Sequence, residues 1–94
     1  MSETFAQFES RLKAQGYNEV LERKWEPGQV TGTHTHPFDA QAVVVQGELW
    51  VTVGKFTAHV VSGGGFEIER DTPHAERYGP EGATYWVARR TGGA

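Results

Sequence analysis

Apolar positions recur at three and four residues in one part of this chain only. In SETFAQFESRLKAQG, Phe5, Phe8 and Leu12 share a helical face; Ser2 or Thr4 can cap the start and Gly16 can end it. The pattern predicts a short amphipathic helix laid on the outside of a sheet. From Tyr17 onward the period becomes that of strands. NEVLERKW runs to the turn Pro27-Gly28, VTGTHTH is polar but rich in β-branched residues, and AQAVVVQ is an apolar run ended by Gly47. ELWVTV and KFTAHVV face each other across Gly54-Lys55, a tight hairpin. After the triplet Gly63-Gly64-Gly65, Phe66 and Ile68 alternate with Glu67 and Glu69, so the two glutamates are expected in solvent. The turn RDTP, the segment HAERY, the turn Gly79-Pro80-Glu81-Gly82, the strand ATYWVARR and the tail TGGA complete the chain. About eight short strands, with turns every eight to twelve residues or so, predict an all-β sandwich or barrel carrying one N-terminal helix.

The 94 residues suffice for one core, read as a helical segment 1–16, a β-region 17–90 and a tail 91–94. A net charge of −3 without a basic block speaks against a nucleic-acid or anionic-membrane partner. The start is neither basic nor continuously apolar, so it does not read as a secretory signal, and no window approaches the roughly 18 apolar residues of a spanning helix. A cytoplasmic protein is expected. Cysteine is absent, so a metal site would have to use His, Asp, Glu or Gln.

That restriction draws attention to GTHTHPFDAQ. On a strand, His34 and His36 point to one face with Cα atoms about 6.6 Å apart, close enough to lean onto one ion. Pro37 holds His36 in extended geometry and, lacking an N–H, should end the ladder there. His74, after Asp71-Thr72-Pro73, offers a third imidazole. Two readings are open on spacing alone: a metal clamp, or two solvated strand histidines and a turn histidine. His59, in FTAHVV, has no ligand type near it and reads as a surface or edge residue.

Together, H34-T-H36, Gly47 opening GELWVTV, and GGGFEIERDTPHAE with Gly65, Pro73 and His74 resemble the two motifs of the cupin superfamily. The resemblance covers residues 28–90. It implies a small RmlC-like jelly-roll β-barrel with a metal held inside, between the motifs. Carried over, it assigns His34, His36 and His74 as ligands. One feature departs: Ala40 stands where the family usually has its carboxylate, with Asp39 and Gln41 on either side. A three-histidine site is therefore expected, with Gln41 as a candidate neutral fourth ligand or substrate contact.

Three neutral imidazoles would leave the charge of a divalent ion (Fe, Mn, Ni, Cu or Zn) uncompensated, favouring an anionic or enolate-like partner with open coordination positions. Glu76, two residues after His74, shares its face on a continuing strand and is the candidate general acid–base; the competing reading is a solvated Glu76–Arg77 pair. Tyr78 follows on that face as a candidate orienting hydroxyl and substrate contact, and Phe38 as a second substrate contact. Phe38, Trp50, Tyr85 and Trp86 read as core more readily than as a pocket mouth, and Arg89 and Arg90 as a solvated strand end more readily than as a contact for an anionic substrate. The expectation is a metal-dependent dioxygenase, isomerase or lyase acting on a small oxygenated or carboxylated molecule. Its alternatives are a non-catalytic cupin that binds or senses a small ligand or metal, and a metal-free scaffold. A homodimer is expected, with the Trp25 strand and the apolar helix face as its contact.

Overall fold

The computed structural model describes residues 3–92. One helix, α1 (Phe5–Ala14), precedes six strands: β1 (Glu19–Trp25), β2 (Val30–His34), β3 (Phe38–Val53), β4 (Phe56–Val61), β5 (Gly65–Ile68) and β6 (His74–Thr91). Two of these are long and do the work of four. β3 and β6 pair antiparallel from Phe38↔Thr91 to Thr52↔Ala75. β1 flanks the C-terminal half of β6 and β5 the N-terminal half of β3. β2 flanks the N-terminal half of β6 and β4 the C-terminal half of β3. Two four-stranded leaves result, β1-β6-β3-β5 and β2-β6-β3-β4, sharing their central strands. This is the jelly-roll arrangement.

Eight segments were expected, and eight are present in six strands. The two predicted breaks, at Gly47 and at Gly79–Gly82, are bends within β3 and β6 rather than strand ends. The register jumps there from Gly47↔Ala83 to Leu49↔Tyr78. Gly47 has φ +77°, and a Cβ on it would stand 2.1 Å from the Gly82 carbonyl oxygen; one on Gly82 (φ +70°) would stand 2.3 Å from that of Trp25. Three backbones meet at this corner, so glycine is required at both positions. The Gly54-Lys55 hairpin forms as expected, closing on the pair Val53↔Phe56.

The leaves enclose Ala40, Ala42, Val44, Leu49, Val51, Val60, Ile68, Tyr78, Ala83, Tyr85 and Val87. On the outer face of the β1-containing leaf, α1 buries Phe8 and Leu12 against Tyr17 and Ala88, with Phe5 edge-on to Trp86 at 5.5 Å. Its start is a capping box: the Gln7 N–H donates to Thr4 Oγ1 (3.1 Å) and the Thr4 N–H to Gln7 Oε1 (2.9 Å). Gly16, at φ +96°, lets the chain leave the helix while the Tyr17 N–H returns to the Leu12 carbonyl. Of the two surfaces expected at a dimer contact, β1 keeps one edge unpaired among the described residues, pairing only with β6. The apolar helix face lies on its own sheet, and Trp25 turns inward to stack on Tyr78 at 4.8 Å. Among the described residues no helix is long and apolar enough to cross a membrane.

Candidate metal centre

β2 ends at His34, two residues earlier than expected, and His36 lies in the connection to β3. His34 and His74 are direct cross-strand partners, the last residue of β2 and the first of β6. Their rings lie 4.4 Å apart, His36 and His74 4.9 Å, and His34 and His36 6.3 Å. The connection that carries His36 is pinned by the Asp71 N–H, which donates to the His36 carbonyl at 2.9 Å. Asp71 sits at φ +62°, a conformation aspartate adopts more readily than most residues.

Each imidazole is oriented by its own neighbourhood. His34 Nδ1–H donates to the Gly32 carbonyl (2.7 Å), His36 Nδ1–H to that of Phe38 (3.1 Å) and His74 Nδ1–H to that of Thr72 (2.8 Å). A carbonyl only accepts, so each Nδ1 carries a proton, and Nε2 is the nitrogen that offers a lone pair when the ring is neutral. The Nε2 atoms of His34 and His74 face the same oxygen, Glu76 Oε2, at 3.7 and 3.4 Å. Glu76 is 7% exposed and His74 3%. The other Glu76 oxygen accepts the Tyr78 hydroxyl at 2.5 Å, and the Glu76 N–H donates to Thr31 Oγ1. Burial raises the Tyr78 pKa above that of free tyrosine, so its hydroxyl stays a donor. Tyr85 is raised by burial too, then by the Glu76 charge, and His36 is lowered, chiefly by burial.

Three acceptors therefore converge: two imidazole lone pairs and a carboxylate oxygen, with a ligating atom of each within 4.8 Å of the others. Such an arrangement is repulsive until a cation or a proton enters it. Two ligand atoms about 2.1 Å from a shared ion lie roughly 3.0–3.4 Å apart at octahedral to tetrahedral angles. The Glu76 spacings come close to this, so His34, His74 and Glu76 fit a divalent ion.

The cavity in front of them measures about 220 Å³ and is also lined by Arg23, Trp25, His36, Phe38, Ala40, Phe66, Ile68, Tyr85, Val87 and Arg89. Phe38 lies flat against His36, ring centres 4.0 Å apart. Ala40 brings no side chain beyond Cβ; the carboxylate missing there arrives from β6 as Glu76. Gln41 alternates with Ala40 and Ala42, pairs with Glu67 and Ala88, and does not line the cavity. Asp39 is engaged by Arg70 and Arg90 instead. Tyr78 stands behind Glu76 rather than in the cavity. Trp50 packs on the opposite face, stacked on His59 and under Arg77, and His59 is bound to Glu48. Trp86 lies beneath α1 with its indole N–H on Glu22. Two charged residues of the cavity were not expected at the site: Arg89, read more readily as a strand end than as a contact for an anionic substrate, and Arg23. The signal was there in Leu21-x-Arg23-x-Trp25, a cation on the apolar alternation of β1.

This arrangement of jelly-roll leaves recurs in solved structures. The fold is that of the cupins. An RmlC-like cupin from Shewanella frigidimarina is 18% identical and superposes with TM-score 0.71 over 82% of this chain and 68% of its own. KdgF from Halomonas sp. is 21% identical, TM-score 0.65, over 78% and 69%. A chain from a structure of DMSP lyases is 23% identical, TM-score 0.71, over 79% of this chain but 38% of its own length. No protein-family model and no curated protein matches the sequence.

Proposed function

We propose that this cupin is a metal-dependent enzyme of the dioxygenase, isomerase or lyase type, acting on a small oxygenated or carboxylated molecule. The observation that carries the reading is the convergence of the His34 and His74 Nε2 atoms on Glu76 Oε2. His34, His74 and Glu76 would hold a divalent ion, with His36 beside them. Two imidazoles and one carboxylate are a donor set suited to iron(II) with open positions, and also to manganese, nickel or zinc. When bound, such an ion supplies Lewis acidity toward a substrate oxygen. The chain supplies the rest. Tyr78 holds Glu76 in one orientation through its hydroxyl, and the three carbonyl-bound Nδ1–H groups fix which nitrogen faces the cavity. Phe38, Ala40, Ile68 and Val87 form apolar walls that limit water. The resemblance to a DMSP lyase structure supports the lyase option at the level of fold only.

One observation favours a non-catalytic binding cupin as the second reading. With Glu76 drawn into the histidine cluster, its place as an independent proton carrier is taken. Elemental analysis of gently purified protein tests the metal: one ion per chain is expected in the wild type and loss of it in His74→Ala. A wild type without metal defeats the reading. Turnover of any member of a panel of small acids, sugars and thiols then separates the enzyme from the binding module.

A further inference from the structure

Arg23 and Arg89 line the same cavity as the histidines and Glu76. Arg23 occupies an inward position of β1 between Leu21 and Trp25, in register with Tyr85. Its guanidinium lies 4.8 Å over the Trp25 ring, and it forms no ion pair among the described residues. Arg89 lies 4.7 Å over Phe38 and bonds Glu19 through Nη1 at 3.3 Å, yet its Nε–H is buried without a partner. A buried donor left unbonded is costly and asks for an acceptor. With neutral histidines, the charged groups of the cavity are two guanidinium ions and one carboxylate. The cavity is net positive before any divalent ion enters, in a protein of net charge −3.

We propose that Arg23 and Arg89 are an anion anchor and that the ligand of the site is a small carboxylate. The inference rests on the proposed metal site only for what the far end of that ligand meets. Guanidinium forks are planar and match carboxylates bidentately, and stacking on Trp25 and Phe38 holds both forks in place. A cavity of about 220 Å³ is below the roughly 300–1,000 Å³ of sites for drug-sized ligands, so the acid is of few carbons.

Calorimetric titration of malonate, and of uncharged malonamide, tests this. The proteins are wild type, Arg23→Gln, Arg23→Lys and Arg89→Gln, each as purified and after chelation, with metal content and circular dichroism measured alongside. Malonate is expected to bind the wild type in both states and malonamide in neither. Each Gln variant should weaken malonate binding about tenfold or more, the usual consequence of losing a charge-assisted bond, at unchanged metal content. If Arg89→Gln fails to fold, the Arg23 pair decides, because Arg23→Lys keeps the charge while losing the fork and should fall between wild type and Arg23→Gln. Wild-type affinity in the Arg23 variants, equal binding of malonamide, or no malonate binding to the wild type overturns the anchor. Protein that takes no metal but still binds malonate through the arginines refutes the metal reading and upholds the anchor.

Discussion

At the scale of single residues, the site depends on which atoms are left with lone pairs. Glu76→Gln replaces a carboxylate by an amide that ligates weakly, and should cost metal affinity at least the roughly 10- to 100-fold typical of losing an outer-shell partner, read by competition with a chelator. Gln41→Ala, by contrast, should leave metal content unchanged, since Gln41 lies outside the cavity. Tyr78→Phe removes the hydroxyl that satisfies the buried Glu76 oxygen. In metal-free protein a loss of about 1–3 kcal/mol is expected by urea unfolding. Asp39 has a different task. The Arg70 N–H and guanidinium, with Arg90, hold its carboxyl below the ordinary range. A depressed folded pKa adds stability that is present above the unfolded value near 3.9 and lost as pH falls through the folded one. Asp39→Asn should therefore lower Tm at pH 7, and its gap from wild type should narrow as pH falls from about 5 toward 3. At this scale the sequence was informative: strand spacing paired His34 and His36, the motif resemblance joined His74 to them, and all three line one cavity. Glu76 was noticed for its co-facial position two residues from His74, but as a proton carrier. Its part in the cluster depends on which side of β6 faces β2, and spacing along one strand does not say that.

At the scale of elements, the bends in β3 and β6 matter most. Gly47→Ala and Gly82→Ala each drive a Cβ into a backbone carbonyl at positive φ, with no flexible side chain to yield. Each should cost about 2 kcal/mol or more, lowering Tm by roughly 8 °C or more in a domain this size. Gly32→Ala meets nothing within 4 Å and is the control, expected to be near neutral. The helix was legible from Phe5, Phe8 and Leu12 because a 3.6 period on a capped segment has one structural solution. The strand boundaries at Gly47 and Gly79–Gly82 were legible only as interruptions. Local chemistry marks where a chain turns; whether the ladder continues around the turn depends on the partner strand.

At the scale of the molecule, α1 covers one leaf and holds its outer face dry. Leu12→Ala, at a fully buried position, should cost about 2–5 kcal/mol in thermal or urea unfolding while leaving metal content unaltered, since the helix lies on the far side of the leaf from the cavity. Composition, period and turn chemistry by themselves determined an all-β sandwich or barrel with one helix, because these signals are local and additive along the chain; the jelly roll was implied by the resemblance of the two motifs. They also brought three histidines into consideration, because strand alternation is set by covalent geometry. Only the tertiary structure decided that Trp25 is internal, that Gln41 faces away, and that Arg23 and Arg89 reach the cavity. These depend on register between β1, β3 and β6, residues up to about 70 positions apart. A one-residue slip in register would reverse every one of them.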